Sequence, residues 1–154
     1  MQLGKIMAER GVTLIYGGGK RGLMGVAADT VMEAGGTVRG VIPQALTQWE
    51  HQHENISELL VVDDMHVRKR KLYGMCDAAI ILPGGYGTLD ELFEILTWNQ
   101  LSIHNKGVFI LNSNGFYDHL LVHLRHLHDE GFLYSPVEEA VVVLQSPEEI
   151  TKYL

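Results

Sequence analysis

At 154 residues, with 46% apolar and 20% charged side chains, the chain has the size and make-up of one globular domain able to bury a real core. Nineteen acidic against twelve basic residues give a net charge of -7, the opposite of the basic footprint that nucleic acid requires, so no nucleic-acid partner is expected. No apolar run approaches a membrane span, no signal peptide is visible, and the one cysteine, Cys76, excludes an internal disulfide framework; the expectation is a soluble cytoplasmic protein with no membrane partner.

In chain order, residues 2–10 carry Leu3, Ile6, Met7 and Arg10 at helical spacing and stop at Gly11, a natural C-terminal cap. A parallel α/β domain ordinarily opens with a strand, so the first strand of such a fold is expected to be lacking ahead of Met1. Residues 12–16 read as the first visible strand, followed by a glycine turn and a helix over about 23–34. Gly17, Gly19 and Gly22 fit the spacing G-x-G-x-x-G in the right strand and helix context. The next strand, 37–42, ends in Pro43-Gln44 with no carboxylate for a ribose hydroxyl, and Lys20 is followed by Arg21, so neither a dinucleotide fingerprint nor a P-loop is complete. Two readings stay open: the turn helps hold a nucleotide, or it only turns tightly. Residues 43–58 are polar, aperiodic and long for a connection, and Glu50, His51 and His53 either reach a ligand or belong to a solvated loop.

Residues 59–62 form a strand, and Asp63-Asp64 opens a helix over 65–73. At about 100° per residue, the four consecutive basic residues from Arg68 to Lys71 cannot all face water. Met65, Arg68, Lys69, Leu72 and Cys76 share a face, so Arg68 sits among apolar neighbours, where a guanidinium demands a carboxylate or a phosphate.

The apolar run 78–82 reads as a strand covered on both faces, and it leads into Pro83-Gly84-Gly85-Tyr86-Gly87-Thr88-Leu89-Asp90-Glu91. The glycines let the backbone bend sharply and approach a ligand. Thr88, Leu92, Ile95 and Leu96 then fall at helical spacing, so free first-turn amides face the glycine loop, an anion site. Glu91 has two readings. It closes a capping box with Thr88, or it is the carboxylate that meets Arg68, since helix starts after neighbouring strands converge at one edge of a parallel sheet. That pairing is in turn either a structural ion pair or an anion-and-carboxylate site. Downstream, a strand over 106–111, a helix over 116–129, a strand over 140–144 and a last helix from Ser146-Pro147 read as scaffold. His119, His123 and His126 share a helix stripe without the H-E-x-x-H pattern and read as solvated, so no metal is expected. Trp98 and Tyr86 read as core or interface, with base stacking as the alternative.

Together, Met65-His66-Val67-Arg68-Lys69 and Pro83 through Glu91 resemble the LOG ("Lonely Guy") family of cytokinin riboside 5′-monophosphate phosphoribohydrolases, whose members were long misannotated as lysine decarboxylases. Tyr16-Gly17-Gly18-Gly19, Gly22-Leu23-Met24-Gly25, Thr97-Trp98-Asn99-Gln100-Leu101 and the segment from Asn112 to Tyr117 look like further family blocks, so the similarity covers nearly the whole chain. The resemblance implies a Rossmann-like three-layer α/β fold with a mostly parallel sheet, one nucleotide-binding domain over 1–154, and a homodimer. It also implies hydrolysis of the N-glycosidic bond of a purine nucleoside 5′-monophosphate, cytokinin-type or adenosine, to free base and ribose 5-phosphate, with no metal or cofactor. Carried over by position, Arg68 and Glu91 are the catalytic pair, with Lys69, Gly85, Tyr86, Gly87, Thr88, Leu89, Asp90, Thr97, Met65 and Gly18 around the nucleotide. Two features depart from the family pattern: the chain lacks the opening strand and its Gly-Ser turn, and Pro43-Gln44-Ala45 stands where some relatives carry a substrate-binding carboxylate, for which Glu50 is the possible substitute. The rival implied by related folds is a nucleotide or molybdenum-cofactor carrier that uses the same cradle without turnover.

Overall fold

A computed structural model describes residues 1–47 and 52–154, and the contacts of the chain gather into two compact units, Met1–Cys76 with Thr151–Leu154, and Asp77–Ile150.

The first unit opens with helix α1 (Gln2–Glu9), which ends as Gly11 turns into the left-handed region at φ +68°, the glycine cap that the sequence announces. Strand β1 (Leu14–Tyr16), helix α2 (Gly22–Glu33), strand β2 (Val38–Pro43), strand β3 (Glu58–Val62) and helix α3 (Met65–Met75) follow. The strands form one parallel sheet in the order β1-β2-β3, with Tyr16 beside Gly40 and Pro43 beside Val62. Strand periodicity sorts the side chains into two cores. Leu14, Tyr16 and Val38 pack with Met7, Ala28 and Val31 of α1 and α2. Ile15, Val41, Leu60 and Val62 pack with Val67 and Leu72 of α3. Helices therefore cover both faces of this sheet, the three-layer arrangement expected from the sequence. Asp64 starts α3 as its N-cap, its Oδ1 accepting from the Val67 amide at 2.8 Å.

The second unit comprises strand β4 (Ala78–Ile81), helix α4 (Tyr86–Gln100), strand β5 (Gly107–Leu111), helix α5 (Asp118–Asp129), helix α6 (Val137–Ala140) and strand β6 (Val142–Leu144). Its sheet, order β4-β5-β6, is again parallel throughout. Central β5 is buried from Val108 to Leu111, whereas β4 runs from exposed Ala78 through half-buried Ala79 and Ile80 to buried Ile81. The even two-sided cover expected of residues 78–82 is absent because β4 stands at an edge of its sheet. The strand expected over 140–144 is shorter, since Pro136 leads into the one-turn α6 with two acidic residues in its first turn. The last helix is a 3-10 helix, Pro147–Lys152. Among the described residues no helix is long and apolar enough to cross a membrane.

Candidate active site

In the first unit the sequence argument about α3 holds: Arg68 is only 8% exposed and Leu72 and Tyr73 are buried, while Lys69 is half-buried and Arg70 and Lys71 face outward. The Arg68 Nε–H donates to the Val41 carbonyl at 3.1 Å, and Nη1 lies 3.9 Å from the Met65 sulfur. The other end of the fork lies against Gly17, where an added Cβ would collide with Nη2. Gly17 is therefore a glycine because the guanidinium rests on it.

Three further glycines of this stretch also answer to the protein itself. Gly18 takes φ +79°, and a Cβ there would press on Leu59 and Ile42; Gly22 takes φ +62°; a Cβ on Gly25 would run into the Lys20 carbonyl. Gln52 and His53 clamp the turn from outside. Gln52 bridges Gly19 and the His53 amide donates to the Gly18 carbonyl at 3.0 Å. The tight-turn reading thus accounts for these glycines, and no ligand is needed to explain them.

His53 fits neither reading of its segment, a ligand-reaching residue or part of a solvated loop. It is 1% exposed, with Nε2 2.9 Å from Asp29 Oδ1 on α2 and Nδ1 accepting from the Asn55 amide at 3.3 Å. That amide leaves the ring proton on Nε2 for Asp29. Polar composition misled here because one buried histidine bonded at both nitrogens is enough to tie a polar segment down. Glu50 and His51 lie outside the described residues. Close by, burial and the Asp29 charge both raise the Tyr16 phenol above its ordinary range.

In the second unit Gly85 is the N-cap of α4, and Tyr86, Gly87 and Thr88 are its first three residues. The first intrahelical bond runs from the Leu89 amide to the Gly85 carbonyl at 3.1 Å, so the amides of residues 85–88 precede the ladder. This start removes the capping-box reading, because Thr88 lies inside the helix and Glu91 is its sixth residue. Glycine is tolerated at an N-cap and in a first turn, so the helix begins earlier than an apolar count suggests. Burial of Leu92 and Ile95, both 0% exposed, contributes about 1.5–3 kcal/mol each and anchors the helix despite its glycines.

These glycines divide by cause. A Cβ on Gly84 would strike the Thr88 hydroxyl, so Gly84 serves the fold. Gly85 and Gly87 have no positive φ, and among the described residues nothing lies within 4 Å of where their Cβ would be. Glu91 is half-buried one turn after Gly87 on the same face of α4, and helical side chains tilt toward the N-terminus. The open backbone and a carboxylate therefore share one surface.

Of the other expected site residues, Met65 is the first residue of α3, beside Arg68, and Asp90 is exposed while Leu89 is half-buried. Thr97 is exposed, with its hydroxyl donating to the Phe93 carbonyl at 2.7 Å. Tyr86 is 94% exposed and so is not a core residue of this chain; Trp98 is half-buried with its ring 5.8 Å from that of His104. The stripe of His119, His123 and His126 is exposed along α5, and among the described residues no three His, Cys, Asp or Glu side chains converge as a metal site would require.

A family model described as "Possible lysine decarboxylase" matches residues 24–154. The chain is 43% identical over 152 residues to a probable cytokinin riboside 5′-monophosphate phosphoribohydrolase of Oryza sativa subsp. japonica, covering 99% of this chain and 68% of that protein. The chain belongs to the LOG family. A cytokinin riboside 5′-monophosphate phosphoribohydrolase of Arabidopsis thaliana is 45% identical over 142 residues, with 92% and 67% covered. This LOG-family chain thus spans about two thirds of the length of these curated relatives. Among solved structures, the molybdenum cofactor binding protein of Rippkaea orientalis superposes with a TM-score of 0.69 over 99% of this chain and 81% of the other, at 22% identity. That likeness carries the Rossmann-like fold and nothing further.

Proposed function

We propose that this LOG-family protein is an N-glycosyl hydrolase that cleaves a purine nucleoside 5′-monophosphate to free base and ribose 5-phosphate. Its substrates are cytokinin-type riboside monophosphates and adenosine monophosphate, and it works as a cytoplasmic homodimer. The observation that carries the reading is the opening of α4, where Gly85 and Gly87 are glycines that neither backbone conformation nor packing demands. Small residues with that freedom, at the amides of a helix N-terminus, suit a phosphate that must come close to the backbone. The relatives named as phosphoribohydrolases supply the bond to be cleaved.

In this account the amides of Gly85, Tyr86, Gly87 and Thr88 take the 5′-phosphate, with Leu89, Asp90, Thr97, Lys69, Met65 and Gly18 around the nucleotide. The bond between the ribosyl carbon and the base nitrogen breaks with its electron pair going to the base, leaving an oxocarbenium-like centre. The Glu91 carboxylate stabilises that centre and takes a proton from the attacking water, whose oxygen bonds to the ribosyl carbon; an equivalent proton reaches the departing base nitrogen from solvent, and Glu91 returns its own to solvent, so that neutral base and ionised carboxylate result. Arg68 anchors an anionic or hydroxyl group of the substrate, its plane already set by Val41. The carrier alternative has only the likeness of fold behind it.

The test is incubation of the purified protein with adenosine 5′-monophosphate and, separately, adenosine, with free adenine and ribose 5-phosphate followed by chromatography. Release from the monophosphate is expected; binding without release would replace the hydrolase by a carrier.

A further inference from the structure

We propose that Tyr117 is a positioning residue that shapes the phosphate turn, an inference that rests on the reading of residues 85–88 as the anion cradle. Tyr117 is 3% exposed, and its hydroxyl donates to the Leu82 carbonyl at 2.6 Å. That bond holds the residue before Pro83, which has no amide of its own, so one side chain from 35 residues away fixes the entrance of the turn. Burial pushes the phenol above its ordinary value while the Gly84 amide pulls it the other way, and the group stays protonated and able to donate at neutral pH.

Tyr117 is itself held from several sides. Its amide donates to Asn112 Oδ1 at 2.7 Å, Asn112 Nδ2 donates to Asp118 Oδ1 at 2.8 Å, and the Asn112 amide donates to the Leu144 carbonyl at 2.8 Å. The Phe116 ring meets the Tyr117 ring edge-on at 4.8 Å. Between these anchors Asn114 and Gly115 take φ +55° and +70°, the residue types that adopt this region at least cost. This framework reaches from the end of β5 to the residue before Pro83.

The consequence for the turn is selective. The bond ties the Leu82 carbonyl to Tyr117 and leaves the amides of Gly85, Tyr86 and Gly87 to face an anion. It also fixes the direction in which the backbone leaves Pro83. Loss of the hydroxyl would leave the ring packing in place and free the Leu82 carbonyl, so the effect falls on the aim of the amides rather than on the core.

The test compares wild type, Tyr117→Phe and, as control, Tyr134→Phe at a side chain that is 85% exposed. Each ¹⁵N-labelled protein is titrated with inorganic phosphate and with ribose 5-phosphate. In the wild type the amide resonances of Gly85, Tyr86 and Gly87 are expected to move. Tyr117→Phe is expected to weaken ribose 5-phosphate about tenfold with the rest of the spectrum unchanged, and to raise KM for the nucleoside monophosphate more than it lowers kcat. Tyr134→Phe should match wild type. Unchanged affinity in Tyr117→Phe overturns the proposal. If Tyr117→Phe does not fold, the hydroxyl proton of Tyr117 in the wild type decides: slow exchange with water upholds the bond to Leu82, and fast exchange removes it. Phosphate binding that depends on Tyr117 in a protein that hydrolyses no nucleotide would overturn the hydrolase reading and leave the positioning role standing.

Discussion

A methyl group added at Gly17 would strike the Arg68 guanidinium, and one added at Gly25 the Lys20 carbonyl; at Gly85 or Gly87 it would meet nothing among the described residues. The two glycine turns of this chain look alike as strings of letters, and each follows a parallel strand and opens a helix. They differ in what fills them. The first is packed from within by Arg68 and by left-handed Gly18 and Gly22. The second carries one glycine that the fold requires, Gly84, and two that it does not. A glycine with an internal cause marks a tight turn, whereas one without such a cause marks backbone that something else must approach.

The comparison breaks most visibly at the carboxylate on the open turn's helix. Glu91→Gln keeps the size of the side chain and removes the charge and the base. It should lower kcat by about 10²- to 10⁴-fold, as loss of a general base typically does, while ribose 5-phosphate binds as before. Single-turnover kinetics beside equilibrium binding checks this, and wild-type turnover in Glu91→Gln would remove the residue from the mechanism. At the filled turn the expected effect is smaller and falls on stability. Gly25→Ala forces a methyl group onto the Lys20 carbonyl and should cost about 1–3 kcal/mol, the range for overpacking, read from the midpoint of urea unfolding. An unchanged midpoint would mean that the first turn is not packed as described.

Much of this was legible in the sequence for reasons that can be named. The burial of Arg68 followed from helical geometry alone, because four adjacent cations cannot share one wet face. The cap at Asp64 and the left-handed Gly11 followed from residue chemistry. Glu91 was misread in one of its two accounts because the capping-box pattern is indifferent to where the helix starts, and α4 begins at Tyr86 through residues that a propensity scale penalises. His53 was opaque because its partner, Asp29, lies 24 residues away on another helix. Tyr117 stood inside a block that resembles the family, yet its hydrogen bond to Leu82 spans 35 residues, and no local pattern reports a contact of that separation. Local rules found the elements and the cradle; the groups that brace the cradle are tertiary.

The measurement that tests the difference between the turns most directly is made on Gly87→Ala, by thermal unfolding and by titration with ribose 5-phosphate on the same sample. Gly87 has no positive φ and sits in the first turn of a helix, so alanine should leave the protein as stable as wild type or more stable by up to about 1 kcal/mol. The added methyl group would stand in the proposed cradle, and affinity for ribose 5-phosphate should fall by about tenfold or more. Undiminished stability with lost affinity is the result this account predicts. Wild-type affinity in Gly87→Ala would contradict it, since the backbone there would then not be where the phosphate binds.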